Sequence, residues 1–408
     1  MFEILQNWIA GACMGFRMSI IMVSIGLHTS WFGKHWLLST CDGGQYLCRQ
    51  CVSLGVIGIK LGQYLSQRPD LLAADCRLEL SRLTDRNETI PWSDLRNRVA
   101  ETVEVDPRVL AVGTGSLAQV HAVVWKQQDA VVKVLLPGEA YIFAQLQVCR
   151  WVLDTLCILG ILPIRWNDFI SDTERQLDLR QEVRELEYAY NNFGKSEGIL
   201  LNNVRVRVPR VLSSTRTSIV MERAIGSPLH QLTPGTNPYR LANRARAAAF
   251  THMTSSGDRR FHADLHDGNL LYDEKNQTLW LIDFGLCTHP PRNWEFPLPL
   301  IMLSSVDPHN LALSTSMLEA LFSIPASRAL KLVTDFQNTV VNTKTTMLPN
   351  LHNSTLVFFA FANRHKLVIQ PATVACFMQL LVIEQALPIG DLFLILTQYK
   401  LQMQDNTQ

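Results

Sequence analysis

The sequence predicts an α+β fold of two lobes, a small β-rich N-terminal lobe and a larger helical C-terminal lobe, with a helical extension in front. Three observations lead there. Residues 117–124 and 130–134 are apolar runs of strand length bounded by turn residues, and 204–211 and 217–221 repeat the pattern. After Pro299 apolar residues recur at helical spacing over 311–322, 329–342 and 371–386. With 47% hydrophobic and 18% charged residues, the 408-residue chain holds enough apolar surface for two or three packed units.

The formal net charge of +1 supplies no field to attract nucleic acid or an anionic lipid surface, so no nucleic-acid partner is expected. Nine cysteines are present. Most sit in apolar helical contexts and read as reduced core thiols of an intracellular protein. Cys41, Cys48 and Cys51 with His35 contain only one C-x2-C pair, where structural zinc sites use two tight ligand pairs. A basic start followed by a small-residue cleavage site is not found, so no signal peptide is expected.

The elements follow in order. Residues 1–40 are apolar and mixed, and Arg17 interrupts every window long enough to span a bilayer. They read as a targeting helix, a membrane-surface helix or a buried helix. Residues 41–106 read as the helical extension. One helix there ends at Pro69 and puts Lys60 and Gln63 on one face, 78–83 forms another, and Pro91 opens a third over 92–103. Residues 107–225 read as the β-rich lobe. Gly113-Thr114-Gly115-Ser116 is a small-residue turn, 117–124 a strand, 126–129 a turn, and 130–134 a return strand carrying Lys133. A helix over 139–162 is inserted after Pro137-Gly138 and stops at Pro163. Residues 172–193 read as one more helix, with Leu177, Val183 and Leu186 on its apolar side and Asp178 and Glu182 facing together. Strands 204–211 and 217–221 are expected to pair. The loop after Met221, with Glu222 and Ala224, is the expected hinge into the C-terminal lobe, residues 226–408.

One stretch carries the chemistry. His262-Ala263-Asp264-Leu265-His266-Asp267-Gly268-Asn269 is followed by Leu281-Ile282-Asp283-Phe284-Gly285. Asp264 and Asn269 stand five apart, and Asp283 lies fourteen further on, the order used by protein-kinase catalytic machinery. A transferring phosphoryl group is densely negative. Two oxygen ligands, from Asn269 and Asp283, would fix Mg²⁺ against the phosphates of ATP, and a third carboxylate, Asp264, would orient the attacking oxygen. Residues 270–272 and 279–282 read as strands around a turn at 273–276, a hairpin that brings Asp283 back to Asn269. Upstream, backbone N–H groups of Gly113, Gly115 and Ser116 can approach phosphates and Lys133 can reach them. Such a lysine needs a helical carboxylate to hold it, and Glu182 is the candidate. Backbone groups at Glu222 and Ala224 would take an adenine edge.

Together these motifs resemble the UbiB family, the aarF-domain-containing atypical kinases. Lys60-Leu61-Gly62-Gln63 is similar to the family's KxGQ signature, Ser116-Leu117-Ala118-Gln119-Val120-His121 to its loop, and Val132-Lys133-Val134 to its strand lysine. Residues 262–269 are similar to its HADxHxGN and 281–285 to its DFG, so the resemblance runs from about residue 56 to 387. It implies a protein-kinase-like fold whose extension, carrying Lys60, folds over the active site. It also implies ATPase or kinase activity with ATP and Mg²⁺, and a place at a mitochondrial, plastid or bacterial membrane. Partners would come from coenzyme Q or other prenyl-lipid metabolism. Three departures stand out. The family's ExD reads Gln176-Leu177-Asp178 here, leaving Asp178 alone to hold Lys60. Gly113 and Gly115 in the loop are expected to favour ATP over ADP. Asp267, where the family has proline, adds a negative charge beside the metal site. Two other functions fit the same residues: a nucleotide-regulated lipid-binding or scaffold pseudokinase, and a small-molecule kinase of the aminoglycoside or choline type.

Overall fold

The computed structural model describes residues 41–66, 74–83, 89–99, 111–158, 167–255, 258–290, 311–322, 324–343 and 371–388, with isolated residues elsewhere. The reading of residues 1–40 falls almost entirely outside them. In chain order the helices are α1 (Cys41–Ser53), α2 (Gly55–Ser66), α3 (Ala74–Ser81), α4 (Glu139–Ile158), α5 (Asn167–Arg175), α6 (Leu179–Asn192), α7 (Asn237–Ser255), α8 (Leu311–Phe322), α9 (Ala326–Thr343) and α10 (Pro371–Ala386). The strands are β1 (Gly113–Thr114), β2 (Ala118–Trp125), β3 (Gln128–Leu135), β4 (Ile199–Leu201), β5 (Val204–Arg207), β6 (Val211–Ser214), β7 (Ser218–Glu222), β8 (Ser227–Pro228), β9 (Phe261–His262), β10 (Leu270–Asp273), β11 (Thr278–Leu281) and β12 (Cys287–Thr288). The chain divides into two units, Met1–Glu185 with Arg210–Arg223, and Leu186–Pro209 with Ala224–Gln408.

The first unit has two layers of core. Ile57, Leu61 and Leu65 of α2 pack with Leu47 and Cys51 of α1, Cys76 and Leu80 of α3, and Ile142 and Leu146 of α4. Gly58 and Gly62 permit the close approach. A Cβ at Gly58 would lie 2.1 Å from the Cys51 carbonyl oxygen, and one at Gly62 would lie 2.2 Å from Leu83 Cδ1. The second layer is an antiparallel sheet in the order β1-β2-β3-β7-β6. Lys126 and Gln127, with φ of 48° and 64°, make a two-residue turn between β2 and β3, tighter than the sequence suggested. Gln119, His121 and Val123 alternate onto the buried side of β2. Ile90, Trp92, Val99 and Val103 cover that side of the sheet. The helix expected over 92–103 is correspondingly short: Trp92–Leu95 runs into a single 3-10 turn, Val99 is extended, and Glu104 bridges to Val124 of the sheet.

Two further expectations are corrected. The helix over 172–193 is two helices, because Asp178 breaks it: its carboxylate accepts the Arg180 N–H at 3.1 Å and starts α6. Strands 204–211 and 217–221 do not pair as wholes. β6 pairs with β7, whereas β5 runs parallel to β11 in the second unit. Pro209, which has no N–H to give a ladder, separates the two roles.

The second unit therefore contains more than helices. Its sheet has the order β4-β5-β11-β10-β8, and β9 pairs with β12 beside it. Ala242, Ala245 and Ala249 of α7 are fully buried in this unit. Phe322 of α8 stacks on Phe358 at 4.7 Å between centroids, and Phe358 also meets Phe377 of α10 at 5.2 Å. Among the described residues no helix is long and apolar enough to cross a membrane.

Candidate functional site

In the first unit, β3 and α6 bring Lys133 and Glu182 together. The ammonium lies 2.8 Å from each carboxylate oxygen, and the two residues are 8% and 5% exposed. Lys133 stands in register with Val120 and Ile219, at the centre of the sheet. The α6 end is tied to the same unit by Leu179 N–H donating to the Arg216 carbonyl at 3.0 Å. A desolvated charge pair is costly unless its geometry is good, and here both oxygens are used.

Gly115 N–H donates to the Ala118 carbonyl at 2.8 Å, closing the turn before β2. The fold does not require either loop glycine. A Cβ at Gly113 would meet Val120 at 3.8 Å and one at Gly115 the Ala118 oxygen at 3.6 Å, both ordinary contacts. Ser116 is buried in the same turn. At the end of β7, Glu222 N–H donates to the Arg210 carbonyl at 2.9 Å, and its carboxylate accepts Arg210 N–H at 3.3 Å. That N–H is therefore already committed, which removes one of the donors expected for an adenine edge. Ala224 follows in non-repetitive backbone.

The extension residues are placed differently from expectation. Gln63 Nε2 donates to the Leu83 carbonyl at 3.2 Å, securing α2 to the end of α3. Lys60 is half-buried and has no ion pair with a described residue. Asp178 is turned to Arg180, two residues on, at 2.9 and 2.6 Å, and the Arg180 hydrogen bond holds its carboxyl below the usual value. The structure thus does not make the Asp178–Lys60 latch that the family resemblance implies. The nearest cation along the chain takes the carboxylate instead. Cys51 of α1 and Cys76 of α3 are buried thiols and Cys48 is half-buried; burial pushes the Cys51 thiol up to about 12.

In the second unit the catalytic-loop motif is built by two pairings. β9 and β12 set His262 opposite Cys287, and the β10–β11 hairpin sets Leu270 opposite Leu281. Asn269 and Ile282 thereby meet, with Ile282 N–H donating to the Asn269 carbonyl at 3.0 Å. Asn269 Nδ2 donates to the Asp264 carbonyl at 3.0 Å, which leaves Oδ1 as the ligand end of the amide. Asp283 adopts φ of 58° and accepts Gly285 N–H at 3.3 Å. A left-handed aspartate is a strained choice, of the kind that concentrates at functional sites.

His262 organises the segment. It is fully buried, its Nδ1 accepts Asp264 N–H at 3.1 Å, and its Nε2 accordingly donates to the Ile282 carbonyl at 3.1 Å. Its ring packs on Phe284 at 5.0 Å. Burial drives its pKa down against the opposing pull of Asp264 and Ile282, so the neutral tautomer is the working form. His266 lies 3.7 Å from Asp264 and accepts Gly268 N–H at 2.9 Å.

The extra charge of Asp267 has a structural account. Arg246 of α7, 1% exposed, donates to Asp267 Oδ1 at 2.8 Å and to the Leu265 carbonyl at 2.5 Å. Gln379 of α10 accepts Leu265 N–H at 2.9 Å and donates to the Ala263 carbonyl at 2.7 Å. Sequence reasoning missed both residues. The available signal was slight: Gln379 is a lone amide between Met378 and Leu380 in an apolar run, whereas Arg246, between Ala245 and Ala247, shares its Ala-rich run with Asn243 and Arg244. Among the described residues no three His, Cys, Asp or Glu side chains gather as a metal site. One amide and one carboxylate suit Mg²⁺, which keeps waters and phosphate oxygens for its remaining positions.

Comparisons with known proteins agree with this picture. A family model described as an ABC1 atypical kinase-like domain matches residues 93–312. The probable protein kinase UbiB of Cellvibrio japonicus is 35% identical over 249 residues, covering 56% of this chain and 43% of that protein. An aarF domain-containing protein kinase of Arabidopsis thaliana, described as chloroplastic, is 26% identical over 274 residues, covering 61% of this chain and 49% of the other. The chain spans about half the length of the curated relatives it matches. Among solved structures, a Mycobacterium tuberculosis protein in complex with erythromycin superposes with a TM-score of 0.47 and 17% identity, over 74% of this chain and 84% of that one. That likeness is too remote to carry an argument.

Proposed function

The chain belongs to the ABC1 atypical kinase-like family, and on that premise we propose that it binds Mg²⁺-ATP and transfers or hydrolyses the terminal phosphate. Lys133, held by Glu182, binds phosphate oxygens. The turn at Gly113, Gly115 and Ser116 lets the same phosphates approach the backbone, with the Gly115 N–H itself bound to the Ala118 carbonyl. Asn269 Oδ1 and the Asp283 carboxylate hold the cation, and Asp264 orients the attacking oxygen. When bound, Mg²⁺ supplies charge neutralisation at the phosphates. The observation that carries the reading is the Asn269 amide, aimed by its bond to the Asp264 carbonyl so that its oxygen is the end left for a cation.

The test is nucleotide binding and phosphate release by the full chain with and without Mg²⁺. Asp283→Asn is expected to remove the Mg²⁺-dependent part of binding. Lys133→Met should weaken nucleotide affinity, and Asp264→Asn should suppress turnover while sparing affinity. Equal Mg²⁺-ATP binding by wild type and Asp283→Asn overturns the reading.

The finer reading is that the activity serves ubiquinone or related prenyl-lipid metabolism at an organelle or bacterial membrane. It is supported by the UbiB name of the relatives and by the KxGQ motif on α2. A rise in turnover with prenyl-lipid headgroup mimics, altered by Lys60→Ala, is the expected result; no response to any such mimic removes it. The lipid-binding pseudokinase reading shares the extension but requires that phosphate release be absent from a chain that binds nucleotide.

A further inference from the structure

Asp264 sits between two peptide groups that are both held by one side chain. Gln379 Oε1 accepts the Leu265 N–H at 2.9 Å and Gln379 Nε2 donates to the Ala263 carbonyl at 2.7 Å. The amide thus pairs with the backbone on either side of Asp264 as a neighbouring strand would. The contact is sheltered: Gln379 is 4% exposed and Leu265 fully buried. It comes from far along the chain, 114 residues beyond Leu265. Arg246 seconds it from α7, bonding the Leu265 carbonyl and the Asp267 carboxylate.

These bonds leave little freedom for the backbone at Asp264. Ala263 N–H is bound to the Leu286 carbonyl, its carbonyl to Gln379, Leu265 N–H to Gln379, and the Leu265 carbonyl to Arg246. An aliphatic residue at 379 would strand a buried donor and a buried acceptor at once, so the loop would have to move to satisfy them.

We propose that Gln379 is a positioning residue for Asp264, acting through the backbone of the catalytic loop, with Arg246 as its second support. The proposal rests on the function assigned to Asp264 above. Gln379 touches neither metal ligand directly, so its removal acts first on the acceptor-side carboxylate and reaches Asn269 only through the Asp264 carbonyl that Asn269 Nδ2 bonds. A misplacement of about 1 Å costs on the order of a hundredfold in rate.

The experiment compares wild type, Gln379→Leu and Gln379→Glu as full chains. It measures phosphate release, Mg²⁺-nucleotide affinity, melting temperature and hydrogen exchange at the Leu265 amide. Gln379→Leu is expected to lower kcat roughly tenfold to a hundredfold, with Mg²⁺-nucleotide affinity falling by a smaller factor, and to speed Leu265 exchange. Gln379→Glu separates positioning from mere packing. Ionised, it accepts from Leu265 but repels the Ala263 carbonyl; protonated, it donates as the amide does. Its kcat relative to wild type should therefore rise as pH falls, a profile that loss of packing does not produce. Unchanged kcat in Gln379→Leu with Leu265 still protected overturns the proposal, as does a flat pH profile in Gln379→Glu. If wild type neither binds nor hydrolyses Mg²⁺-ATP, the function proposed for Asp264 falls. The Leu265 exchange then still decides whether Gln379 holds the loop.

Discussion

Lys133 and Glu182 show how a single residue choice is decided by its surroundings. Glu182 lies in a run rich in surface carboxylates, with Glu174, Glu185 and Glu187 nearby, and nothing local distinguishes it. Burial beside the Lys133 ammonium does. Glu182→Gln removes the carboxylate that takes both of those ammonium bonds, and we expect a loss of about 3 kcal/mol in unfolding free energy, read by denaturant titration. Three histidines whose charged form burial disfavours contribute to acid sensitivity of the fold. Burial lowers the pKa of His121, His252 and His262 below the ordinary 6.5. The unfolded chain then binds more protons than the folded one as pH drops, so stability is full above 6.5 and is lost progressively below it. Melting temperature against pH should fall on the acid side of that value. A flat curve from pH 7 to about 5 would contradict the neutral assignment of these rings.

At the scale of elements, the KxGQ helix is placed by its glycines and its glutamine. Gly58 faces backbone, so a Cβ there has nowhere to go; Gly62 faces the movable end of Leu83. Gly58→Ala should cost more than Gly62→Ala, which falls near the usual 1–3 kcal/mol for overpacking, roughly speaking. Gly113→Ala and Gly115→Ala meet only ordinary contacts and are expected to leave stability within about 0.5 kcal/mol while weakening nucleotide binding. Loss of stability without loss of affinity would mean these glycines serve the fold alone. The β2–β3 and β10–β11 hairpins were legible because an apolar run, a turn and a second run lie within one local window. The break before α6 was not, since apolar residues keep helical spacing straight through Gln176–Asp178 and only the Asp178 cap interrupts them. Asp178→Ala should remove that cap and cost about 1 kcal/mol.

Taken as a whole, the chain is two units that exchange a segment: 186–209 packs with the second unit although 210–223 returns to the first. Ligand linkage gives a measurement on the intact molecule. Mg²⁺-ATP at a hundred times its dissociation constant should stabilise the binding unit by about 2.7 kcal/mol, seen as a rise in melting temperature that Asp283→Asn abolishes. What the sequence alone determined is the family, the fold class and the order of the motifs, because motif spacing, strand alternation and turn residues are local properties. The five polar positions Lys133, Glu182, Asp264, Asn269 and Asp283 were all nameable from it. Tertiary structure alone decided the partners: β5 with β11, Arg246 with Asp267, Gln379 around Asp264, and Asp178 with Arg180 in place of Lys60. Except for Asp178 and Arg180, these pairs join segments far apart in the chain. The reason is that a polar group's partner is settled by which segments must satisfy its hydrogen bonds once water is gone, and that depends on packing between distant parts of the chain rather than on any local pattern.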